Sequence, residues 1–472
     1  MKYCPIYKKC GGCAYINEEY EKTLLNKHEY VQKLFGKIKV DEVKGMKDPY
    51  HYRHKIYASF YNDKYNQIHA GLYEENSHRL IDSKMCLIQH VKANDILRTM
   101  CTLAQSFKIE PYNEDTGRGV LRHAYIRISR STGRVMLVIV IGSKGLPSSK
   151  NYVKKLVEAH PEIETVIINY NHEHTSMILG RKSDVVYGKG YITDQIGNLL
   201  FRISPQSFYQ VNPEQTEVIY NTALEMAQLK KTDTVLDVCC GIGTIALSAA
   251  PLCKEVIGVE INEQAIRDAE KNMKLNGIEN VSFFAEDAGR FIQRLDAKPD
   301  VVFLDPPRSG MSEPFICTLN RLSPKKIVYV SCNPVTQIRD IRLFAKAGYR
   351  VQKAVPVDNF PFTKHIETCA LLVRESAHKD ETVSIKVNTD GITVDQKKHM
   401  HPVKPTYENI QRWIKEKYGM NVSTLYIAQI KDKVGIDKQM TFKDRPAKGR
   451  VPNCPLEKEE AIMDAFRHFR MI

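Results

Sequence analysis

The feature that most constrains the fold of this chain is a regular alternation of strand-like and helix-like segments between residues 195 and 375. Short β-prone apolar segments recur at residues 235–238, 255–259, 281–284, 301–304, 327–330 and 369–373. Longer helical patterns lie between several of them, as at residues 263–275 and 336–347. Such alternation is typical of an α/β fold in which helices cover both faces of a mostly parallel sheet. We therefore predict a Rossmann-like, doubly wound domain that binds its ligands at the carboxyl ends of the strands.

Glycines and acids occupy the predicted strand ends. The first strand is followed by Gly241 and Gly243, which allow a tight turn, and a helix is expected to begin at Thr244. Glu260 lies 19 residues beyond Gly241, where such folds place a carboxylate that binds ribose. Two further strand ends carry acids, namely Asp287 and Asp305. This pattern predicts a site for an adenosine-bearing cofactor, and the lack of a third glycine in the loop favours S-adenosylmethionine over a dinucleotide.

A cysteine lies at the expected junction between the fifth strand and its helix. Residues 327–331 are β-prone, Cys332 follows them, and Asn333 and Pro334 are residue types that cap and begin helices. A helix amino terminus stabilises anions, so this position should favour ionisation of the thiol. Cys332 is therefore a candidate nucleophile, and a buried core cysteine is the alternative interpretation.

Three further cysteines lie close together at the amino terminus. Cys4, Cys10 and Cys13 form a Cys-x5-Cys-x2-Cys segment, and Cys86 is the best candidate for a fourth ligand. Thiolates select zinc or iron–sulfur clusters. Zinc sites usually combine two closely spaced pairs, and the second pair is missing here, so we predict a 4Fe–4S cluster. Zinc and free thiols remain alternatives.

Four motifs occur in order, namely Gly258-Val-Glu260, Leu304-Asp-Pro-Pro-Arg308, Val330-Ser-Cys-Asn-Pro334 and His365-Ile-Glu367. In these motifs the chain resembles the RNA uracil-5-methyltransferases, which form 5-methyluridine in ribosomal and transfer RNA. The resemblance covers residues 1–375, and the amino-terminal cysteines look like the iron–sulfur cluster of the ribosomal-RNA members. It implies an S-adenosylmethionine-dependent enzyme with 23S ribosomal RNA as substrate, and the same chemistry on transfer RNA is the alternative.

The resemblance also implies roles for individual residues. Cys332 would add to C6 of the target uracil, and Glu367 would remove the C5 proton after methyl transfer, with His365 and Asp358 as competing bases. The residues expected to bind the cofactor, from the strand-end pattern or from the resemblance, are Gln210, Cys239, Gly241, Gly243, Thr244, Glu260, Asp287 and Asp305. Cys239 departs from the family, which commonly has an aromatic residue at this position.

Composition is in keeping with an RNA-binding enzyme. The net charge is +14 and the isoelectric point is about 9.0, a balance that favours a polyanionic partner. No apolar run approaches the ~20 residues that span a membrane, and the amino terminus lacks a signal-peptide core. We therefore expect a cytoplasmic protein, acting as a monomer. Two other functions stay open, an amino-directed methyltransferase suggested by the Asp-Pro-Pro motif and a non-catalytic RNA-binding assembly factor.

The chain divides into three predicted domains: an α+β iron–sulfur and RNA-binding domain at residues 1–195, the methyltransferase domain at 196–375, and a small extension at 376–472. In the first domain, alternating strands should expose Arg53 with Lys55 and His123 with Arg127, which we interpret as an RNA-facing surface. Phe208 and Tyr209 are candidate surfaces for stacking a base that has left its stack, and packing in the core explains either ring equally well.

The extension is predicted to be mostly helical. Alternating residues around Asp390-Gly391 suggest a hairpin over 383–394. A helix should follow Pro405 and end at Gly419, and a second helix should begin after Ser423. Two short helices joined by a tight turn resemble a helix-turn-helix, so we predict an accessory RNA-binding module, with a packing appendage as the alternative.

Overall fold

The structure is a computed structural model that describes residues 2–74, 77, 79–175, 177–375, 407–433 and 454–468. The chain separates into two compact units, residues 1–381 and 382–472. No helix in the described ranges is both long enough and apolar enough to cross a membrane. The hairpin predicted over residues 383–394 lies outside the described residues.

The first half of the larger unit is built around a seven-stranded sheet. Its strands lie in the order β3-β2-β1-β4-β5-β6-β7, and all neighbouring pairs are antiparallel except β5 and β6. The elements are α1 (Tyr7–Cys10), α2 (Tyr20–Phe35), β1 (Lys55–Asn62), β2 (Ile68–Tyr73), β3 (Leu80–Asp82), α3 (Val91–Ser106), β4 (Leu121–Ile128), β5 (Val135–Ile141), α4 (Ser149–Ala159), β6 (Ile163–Tyr170), β7 (Lys182–Tyr187) and the separate hairpin β8 (Ile192–Ile196) and β9 (Leu199–Ile203).

The second half forms another seven-stranded sheet, in the order β12-β11-β10-β13-β14-β16-β15. The first five strands are parallel, and β16 is antiparallel to both of its neighbours. The elements are α5 (Pro213–Ala227), β10 (Thr234–Val238), α6 (Thr244–Ala249), a 3-10 turn (Ala250–Leu252), β11 (Glu255–Glu260), α7 (Glu263–Leu275), β12 (Val281–Ala285), α8 (Ala288–Gln293), β13 (Val301–Leu304), α9 (Glu313–Leu322), β14 (Lys326–Ser331), α10 (Pro334–Lys346), β15 (Tyr349–Val357) and β16 (Glu367–Arg374).

The predicted α/β, Rossmann-like fold is confirmed, and all six predicted strands are present. The sequence analysis missed the edge strand β15. Its first five positions include exposed Arg350, Lys353 and Gln352, because an edge strand needs no continuous apolar run.

The two sheets of the larger unit share one apolar core. Tyr125 and Val138 from the first sheet belong to the same buried cluster as Val235 and Val330 from the second. The predicted domain boundary at residue 195 falls within the small hairpin β8–β9, and it stays a prediction because both halves lie in one compact unit.

The described part of the smaller unit is helical, as predicted. It contains α11 (Tyr407–Tyr418), α12 (Thr424–Lys433) and α13 (Leu456–His468). Gly419 follows α11 with φ +68°, and the hydroxyl of Ser423 accepts a hydrogen bond from the Tyr426 amide at 3.2 Å at the start of α12. The third helix was not predicted; it buries Ile462 and Phe466 against isoleucines of the other two.

Candidate active site

The turn between β10 and α6 has the glycine geometry predicted for a ligand loop. Gly241 and Gly243 have φ of +56° and +81°, a region that side chains with a Cβ rarely adopt. A Cβ on Gly243 would also lie 2.7 Å from the ring of Phe283. Thr244 begins α6, and its hydroxyl donates to the phenol oxygen of Tyr220 at 3.0 Å. The backbone is therefore free to approach a ligand closely at this strand end.

The predicted acids meet at the same edge of the sheet. The carboxylate of Glu260 accepts hydrogen bonds from the amides of Gly241 at 3.2 Å and Asn262 at 2.9 Å. Asp287 caps α8 by accepting from the Arg290 amide at 3.0 Å. Asp305 follows β13, and burial raises its pKa to about 7. An acidic edge of this kind favours a cationic ligand.

Cys239 lies among these acids. Burial, followed by the charges of Glu260, Asp305, Asp237 and Asp287 in that order, raises the pKa of its thiol to about 12, so all four carboxyl groups lie near this residue. Its φ is +62°, an uncommon conformation for a residue with a Cβ.

The sequence analysis did not assign a role to Asp237. This residue is buried, one carboxyl oxygen accepts from the Ala246 amide at 2.9 Å, and the other has no partner among the described residues. Desolvation by burial holds its pKa well above the usual range. Its place at a strand end, directly before the glycine turn, was the available signal.

The two predicted catalytic residues are brought together by strand register. In the antiparallel pair of β14 and β16, Val330 lies opposite Cys369 and Ser331 opposite Thr368. Continuing that register by one step places Cys332 opposite Glu367. The Asn333 side chain accepts from the Val335 amide at 3.2 Å, so the predicted cap of α10 is present.

The ionisation predicted for Cys332 is wrong. Burial, followed by the Glu367 carboxyl, raises the thiol pKa to about 11, although Arg308 hydrogen-bonds the sulfur and opposes the shift. The helix amino terminus is outweighed because the thiol is half-buried beside carboxyl groups. Burial, and then Asp305, raises the pKa of Glu367 to about 8, while a hydrogen bond from Asn359 and the charge of Arg308 oppose it. Arg308 is thus the cation that acts on both residues, a role the sequence did not reveal.

A buried amide connects Glu367 with the predicted cofactor residue Gln210. The Asn359 side-chain amide donates to the side-chain oxygen Oε1 of Gln210 at 3.2 Å, and it also forms a hydrogen bond with Glu367. Asn212, next to this segment, donates to the Asn359 backbone carbonyl at 3.2 Å. The sequence analysis missed Asn359, because these contacts span about 150 residues of sequence.

The two competing bases differ in their surroundings. Asp358 is fully buried and is bound by Lys27 at 2.6 Å and by the hydroxyl of Tyr20 at 2.9 Å, so its carboxylate serves as an anchor for α2. His365 is exposed, and burial of part of its ring, followed by the nearby charge of Arg308, lowers its pKa. Asp358 is therefore unsuited to act as a base, because its carboxylate is neutralised by Lys27. Glu367 forms no ion pair with a described residue, so its carboxyl group is better placed to take up a proton.

The predicted stacking surfaces separate into one exposed and one buried ring. Phe208 is 61% exposed, whereas Tyr209 is 3% exposed and packs in the core, so the prediction for Tyr209 is wrong. The guanidinium of Arg127 lies 5.3 Å from the Tyr209 ring centre and donates to the Tyr209 carbonyl at 2.8 Å. Phe208 remains available for stacking.

The predicted RNA-facing strand surface is likewise corrected. Arg127 and His123 are only 2% and 8% exposed, because β4 is a central strand covered on both faces. Arg53 and Lys55 are half-buried, and the Lys55 ammonium lies 5.5 Å from the Phe208 ring centre. Burial, followed by repulsion from Arg127 and Arg53, lowers the Lys55 pKa to about 7.

The four amino-terminal cysteines influence one another. Burial raises the Cys13 pKa to about 12, and Cys86, Cys10 and Cys4 add to the shift in that order. Their donor set of thiols alone suits iron–sulfur chemistry. In the described ranges, however, no group of three or more Cys, His, Asp or Glu residues is gathered closely enough to hold a metal ion.

The cysteine segment packs against the segment that carries Asn359. Cys4, Cys13 and Cys86 contact the apolar cluster that contains buried Phe362, whose φ is +63°. The Phe362 carbonyl accepts from the amides of Ala14 and Tyr15, both at 2.9 Å. The amino terminus therefore helps to fix the strained turn that precedes Glu367.

The fold and the site together define a methyltransferase: a glycine turn, three strand-end acids and a cysteine paired with a glutamate on adjacent strands. The sequence profile of the tRNA (uracil-5-)-methyltransferase family matches residues 19–375. Because this match covers most of the chain, the protein belongs to that family.

Curated relatives support the same conclusion. An uncharacterized RNA methyltransferase of Halalkalibacterium halodurans is 40% identical over 378 residues, which are 78% of this chain and 82% of that protein. An uncharacterized RNA methyltransferase of Staphylococcus aureus is 41% identical over 377 residues, which are 78% and 83% of the two chains. The expectation of an RNA methyltransferase is confirmed.

One solved structure is similar over most of the chain. It is the tRNA (uracil-54, C5)-methyltransferase of Pyrococcus abyssi in complex with S-adenosyl-L-homocysteine, with a TM-score of 0.66 and 25% identity. The similarity covers 79% of this chain and 88% of that protein. Its bound ligand is the product that S-adenosylmethionine leaves after methyl transfer, in keeping with the predicted methyl donor.

Proposed function

We propose that the protein methylates C5 of a uridine in RNA, using Cys332 as nucleophile and Glu367 as base. The observation that carries this proposal is the register of β14 and β16, whose continuation by one step places Cys332 opposite Glu367, together with the effect of the Glu367 carboxyl on the Cys332 thiol. An amino-directed methyltransferase would need no cysteine there. A non-catalytic assembly factor would not require a buried carboxyl beside the thiol.

The chemistry explains why both residues are needed. Uracil C5 is too weak a nucleophile to take a methyl group unaided, but addition of the Cys332 sulfur to C6 turns the ring into an enolate that is nucleophilic at C5. S-adenosylmethionine, as second substrate, supplies an electrophilic methyl group. Glu367 then removes the C5 proton, and the re-formed double bond expels the thiolate.

Charge at the site must change when substrates bind. With pKa values near 11 and 8, Cys332 and Glu367 are both mainly protonated at neutral pH in the free protein. Arg308 and Asn359 favour the ionised forms. A cationic methyl donor at this acidic edge would favour them further, because positive charge lowers the pKa of a nearby acid. We infer that ionisation follows cofactor binding.

We propose that Glu260 binds the ribose of the methyl donor and that Asp287 binds its adenine. The rest of the methyl donor would contact Gln210, Cys239 and Asp305. It would also lie close to the backbone of the turn that contains Gly241, Gly243 and Thr244. This assignment is supported by the convergence of the carboxyl groups around Cys239.

The preferred substrate is 23S ribosomal RNA, and transfer RNA is the alternative. The four amino-terminal cysteines favour ribosomal RNA by resemblance, whereas the similar Pyrococcus abyssi enzyme acts on transfer RNA. Separate reactions with transcripts of each RNA, followed by nucleoside analysis for 5-methyluridine, distinguish the two. We further propose that the enzyme acts as a monomer in the cytoplasm, which light scattering and cell fractionation would test.

The mechanism can be tested by trapping. RNA that contains 5-fluorouridine should form a stable covalent complex in the presence of S-adenosylmethionine, because fluorine at C5 cannot be removed as a proton. Cys332→Ala should form no complex, whereas Cys317→Ala, which changes an exposed cysteine on α9, should trap RNA as the wild type does. No complex with the wild type, or an undiminished one with Cys332→Ala, would refute the mechanism.

We also propose that Cys4, Cys10, Cys13 and Cys86 hold a 4Fe–4S cluster, which requires their segment to close further around it. Anaerobically purified protein should contain iron and acid-labile sulfide and absorb visible light. Cys86→Ala should lose iron, and Cys101→Ala, which changes a half-buried cysteine on α3, should retain it. Stoichiometric zinc without sulfide would contradict the proposal.

For the carboxyl-terminal unit we propose an accessory role in RNA binding. Its described helices form a separate core, and α11 and α12 carry lysines in their last turns, of which Lys417 and Lys433 form ion pairs with Asp464 and Glu459. Deletion of residues 400–472 should then weaken RNA binding while the methyl donor still binds. RNA affinity that is unchanged by the deletion would favour a packing appendage.

A further inference from the structure

A cavity lies at the carboxyl ends of the only parallel strand pair found in the described part of the first sheet, β5 and β6. It has a volume of about 340 Å³, and we call it the Tyr170 pocket. Its lining includes Lys144, Tyr170, Asn171, His172, Arg181 and Lys182. The carboxyl ends of parallel strands are a common place for ligands, and this volume is in the range of small-ligand sites, ~300–1,000 Å³.

The pocket is lined by available positive charge. Lys144, Arg181 and Lys182 are all exposed, and none of them forms an ion pair with a described residue. The Lys182 ammonium lies 5.0 Å from the Tyr170 ring centre. One acid, Glu173, is also in the lining, so the net character of the pocket is cationic. A site of this kind attracts phosphate rather than a metal ion.

The loop that forms the pocket is held in place by buried polar side chains. Asn169 donates to the Gly180 carbonyl at 2.9 Å and accepts from the Gly180 amide at 2.7 Å. The Asn171 side chain donates to the carbonyls of Met177 and Ile178 at 2.7 and 3.1 Å. Buried Arg122 donates to the carbonyls of Asn171 and Glu173 at 2.9 and 3.0 Å. The described residues of this loop, 171–175 and 177–181, are therefore held in place by hydrogen bonds to buried side chains.

Two further features describe the floor of the pocket. The side-chain oxygen of Asn171 is buried and has no hydrogen-bond partner among the described residues. Gly180 keeps the loop close to the strand, since a Cβ at this position would lie 2.0 Å from the Tyr170 carbonyl oxygen. The hydroxyl of Tyr170 donates to Asp184 at 2.8 Å, which fixes the ring as a platform.

We propose that the Tyr170 pocket binds the sugar–phosphate backbone of a single-stranded RNA segment that flanks the target uridine. Phosphates would contact Lys144, Arg181 and Lys182, which are the exposed cations of the lining. This proposal rests on RNA being the substrate and not on the roles of Cys332 and Glu367.

The position of the pocket suits such a segment. Arg122 contacts the pocket loop, whereas Arg127 contacts the Tyr209 and Gln210 backbone beside the candidate active site. These two arginines are five residues apart on β4, or about 17 Å at ~3.4 Å per residue. Both side chains are buried, so RNA would follow a surface path of at least this length, and the pocket would bind the flank and not the target base.

A matched pair of variants tests the proposal. Lys144→Ala/Arg181→Ala/Lys182→Ala removes three exposed cations from the pocket, and Lys33→Ala/Lys37→Ala/Lys39→Ala removes three exposed cations on and after α2. Each is titrated by fluorescence anisotropy with a labelled uridine-rich single strand of about 16 nucleotides, without S-adenosylmethionine. Melting curves confirm that both variants fold.

The pocket variant should bind the RNA at least about tenfold more weakly than the wild type at low salt. The slope of log affinity against log salt concentration should become shallower by about 2, because each of the three lost phosphate contacts to a single strand contributes ~0.7. In the control variant, both the loss of RNA affinity and the change in its salt dependence should be markedly smaller. Equal losses in the two variants would overturn the proposal, as would normal RNA binding with weakened binding of polyglutamate, which would indicate an acidic protein partner.

The result is separable from the trapping experiment. Weakened affinity in the pocket variant together with a normal covalent complex at saturating 5-fluorouridine RNA is the outcome expected if both proposals hold. Absence of the covalent complex in the wild type would refute the Cys332 mechanism and leave the RNA-binding measurement valid.

Discussion

The two sheets present ligand sites of the same topological kind but of opposite charge. At the carboxyl ends of β10, β11 and β13, carboxyl groups converge around Cys239, and burial raises the pKa values of Asp237 and Asp305. At the carboxyl ends of β5 and β6, exposed cations surround the Tyr170 pocket. This difference would let one chain bind a cationic methyl donor and a polyanionic RNA at separate edges, as proposed above, because each ligand requires the opposite electrostatic environment.

The largest expected effect is at the acidic edge. Cys332→Ser should abolish 5-methyluridine formation, because an alcohol at this position is too weak a nucleophile to add to C6. RNA affinity measured by anisotropy should stay within about twofold of the wild type. Replacing sulfur by oxygen in a half-buried side chain changes the binding energy little. Retained turnover would show that another residue activates the uracil.

A smaller effect is expected when the base is removed. Glu367→Gln should lower turnover by ~10²–10⁴-fold, the usual contribution of a positioned general base. Because addition and methyl transfer would still proceed, the variant should accumulate a covalent complex with ordinary uridine RNA, visible as a retarded band on a denaturing gel. A slow variant without that complex would place Glu367 in the addition step instead.

The comparison of the two edges becomes sharper with a binding experiment. Glu260→Gln should weaken binding of S-adenosylmethionine by about 10–100-fold, since a hydrogen bond to a charged group contributes ~1.5–3 kcal/mol. RNA affinity should be unchanged in this variant, whereas the Tyr170 pocket variant should show the reverse pattern. Isothermal titration calorimetry with S-adenosylmethionine and with RNA measures the two affinities of each variant. If either variant lost affinity for both ligands, the two sites would not be separate.

The buried amide should affect pH dependence more than maximal rate. Asn359→Leu removes a hydrogen bond that favours ionised Glu367, so the pKa of this base should rise and the ascending limb of the pH–rate profile should move to higher pH. In a Glu367→Gln background the same substitution should cause no further shift. A shift that persists without Glu367 would assign the limb to another group.

The last expected effect concerns stability and not activity or binding. Glu367 has a raised pKa of about 8 in the folded protein, against ~4.3 in an unfolded chain, so the folded state binds a proton that the unfolded state releases between these values. Stability should therefore fall as pH rises from about 4 to 8. Glu367→Gln removes this contribution. The melting temperature of the variant, relative to that of the wild type, should therefore increase as pH rises from about 4 to 8. A constant difference would show that Glu367 is not protonated in the folded protein.

Sequence patterns predicted those parts of the molecule that depend on local order. The strands, the glycine turn, the Asn333 cap and the acids at strand ends all follow from neighbouring residues, and each was found where expected. Phe208 and Tyr209 could not be distinguished, because adjacent aromatic residues on an irregular segment give no sign of which one is buried. The buried state of Arg127 was equally hidden, since it depends on a helix and a sheet that pack from distant sequence.

Long-range electrostatics accounts for the remaining differences. The position of Cys332 at a helix amino terminus predicted a low pKa, but burial in the assembled fold, followed by the carboxyl groups of Glu367 and Asp305 from other strands, raises it instead. Asn359 and Lys27 act through partners more than a hundred residues away. Such contacts leave no local periodicity, and only the assembled sheet reveals them.

The central claim is that Cys332 forms the covalent bond to the uracil ring, and peptide mapping tests it most directly. The wild-type enzyme is trapped with S-adenosylmethionine and 5-fluorouridine RNA, digested with protease and nuclease, and examined by tandem mass spectrometry. The peptide that contains Cys332 should carry the mass of a methylated 5-fluorouridine nucleotide. The same mass on a peptide that contains Cys239, Cys240 or any other cysteine, or an adduct without the added methyl group, would contradict the account.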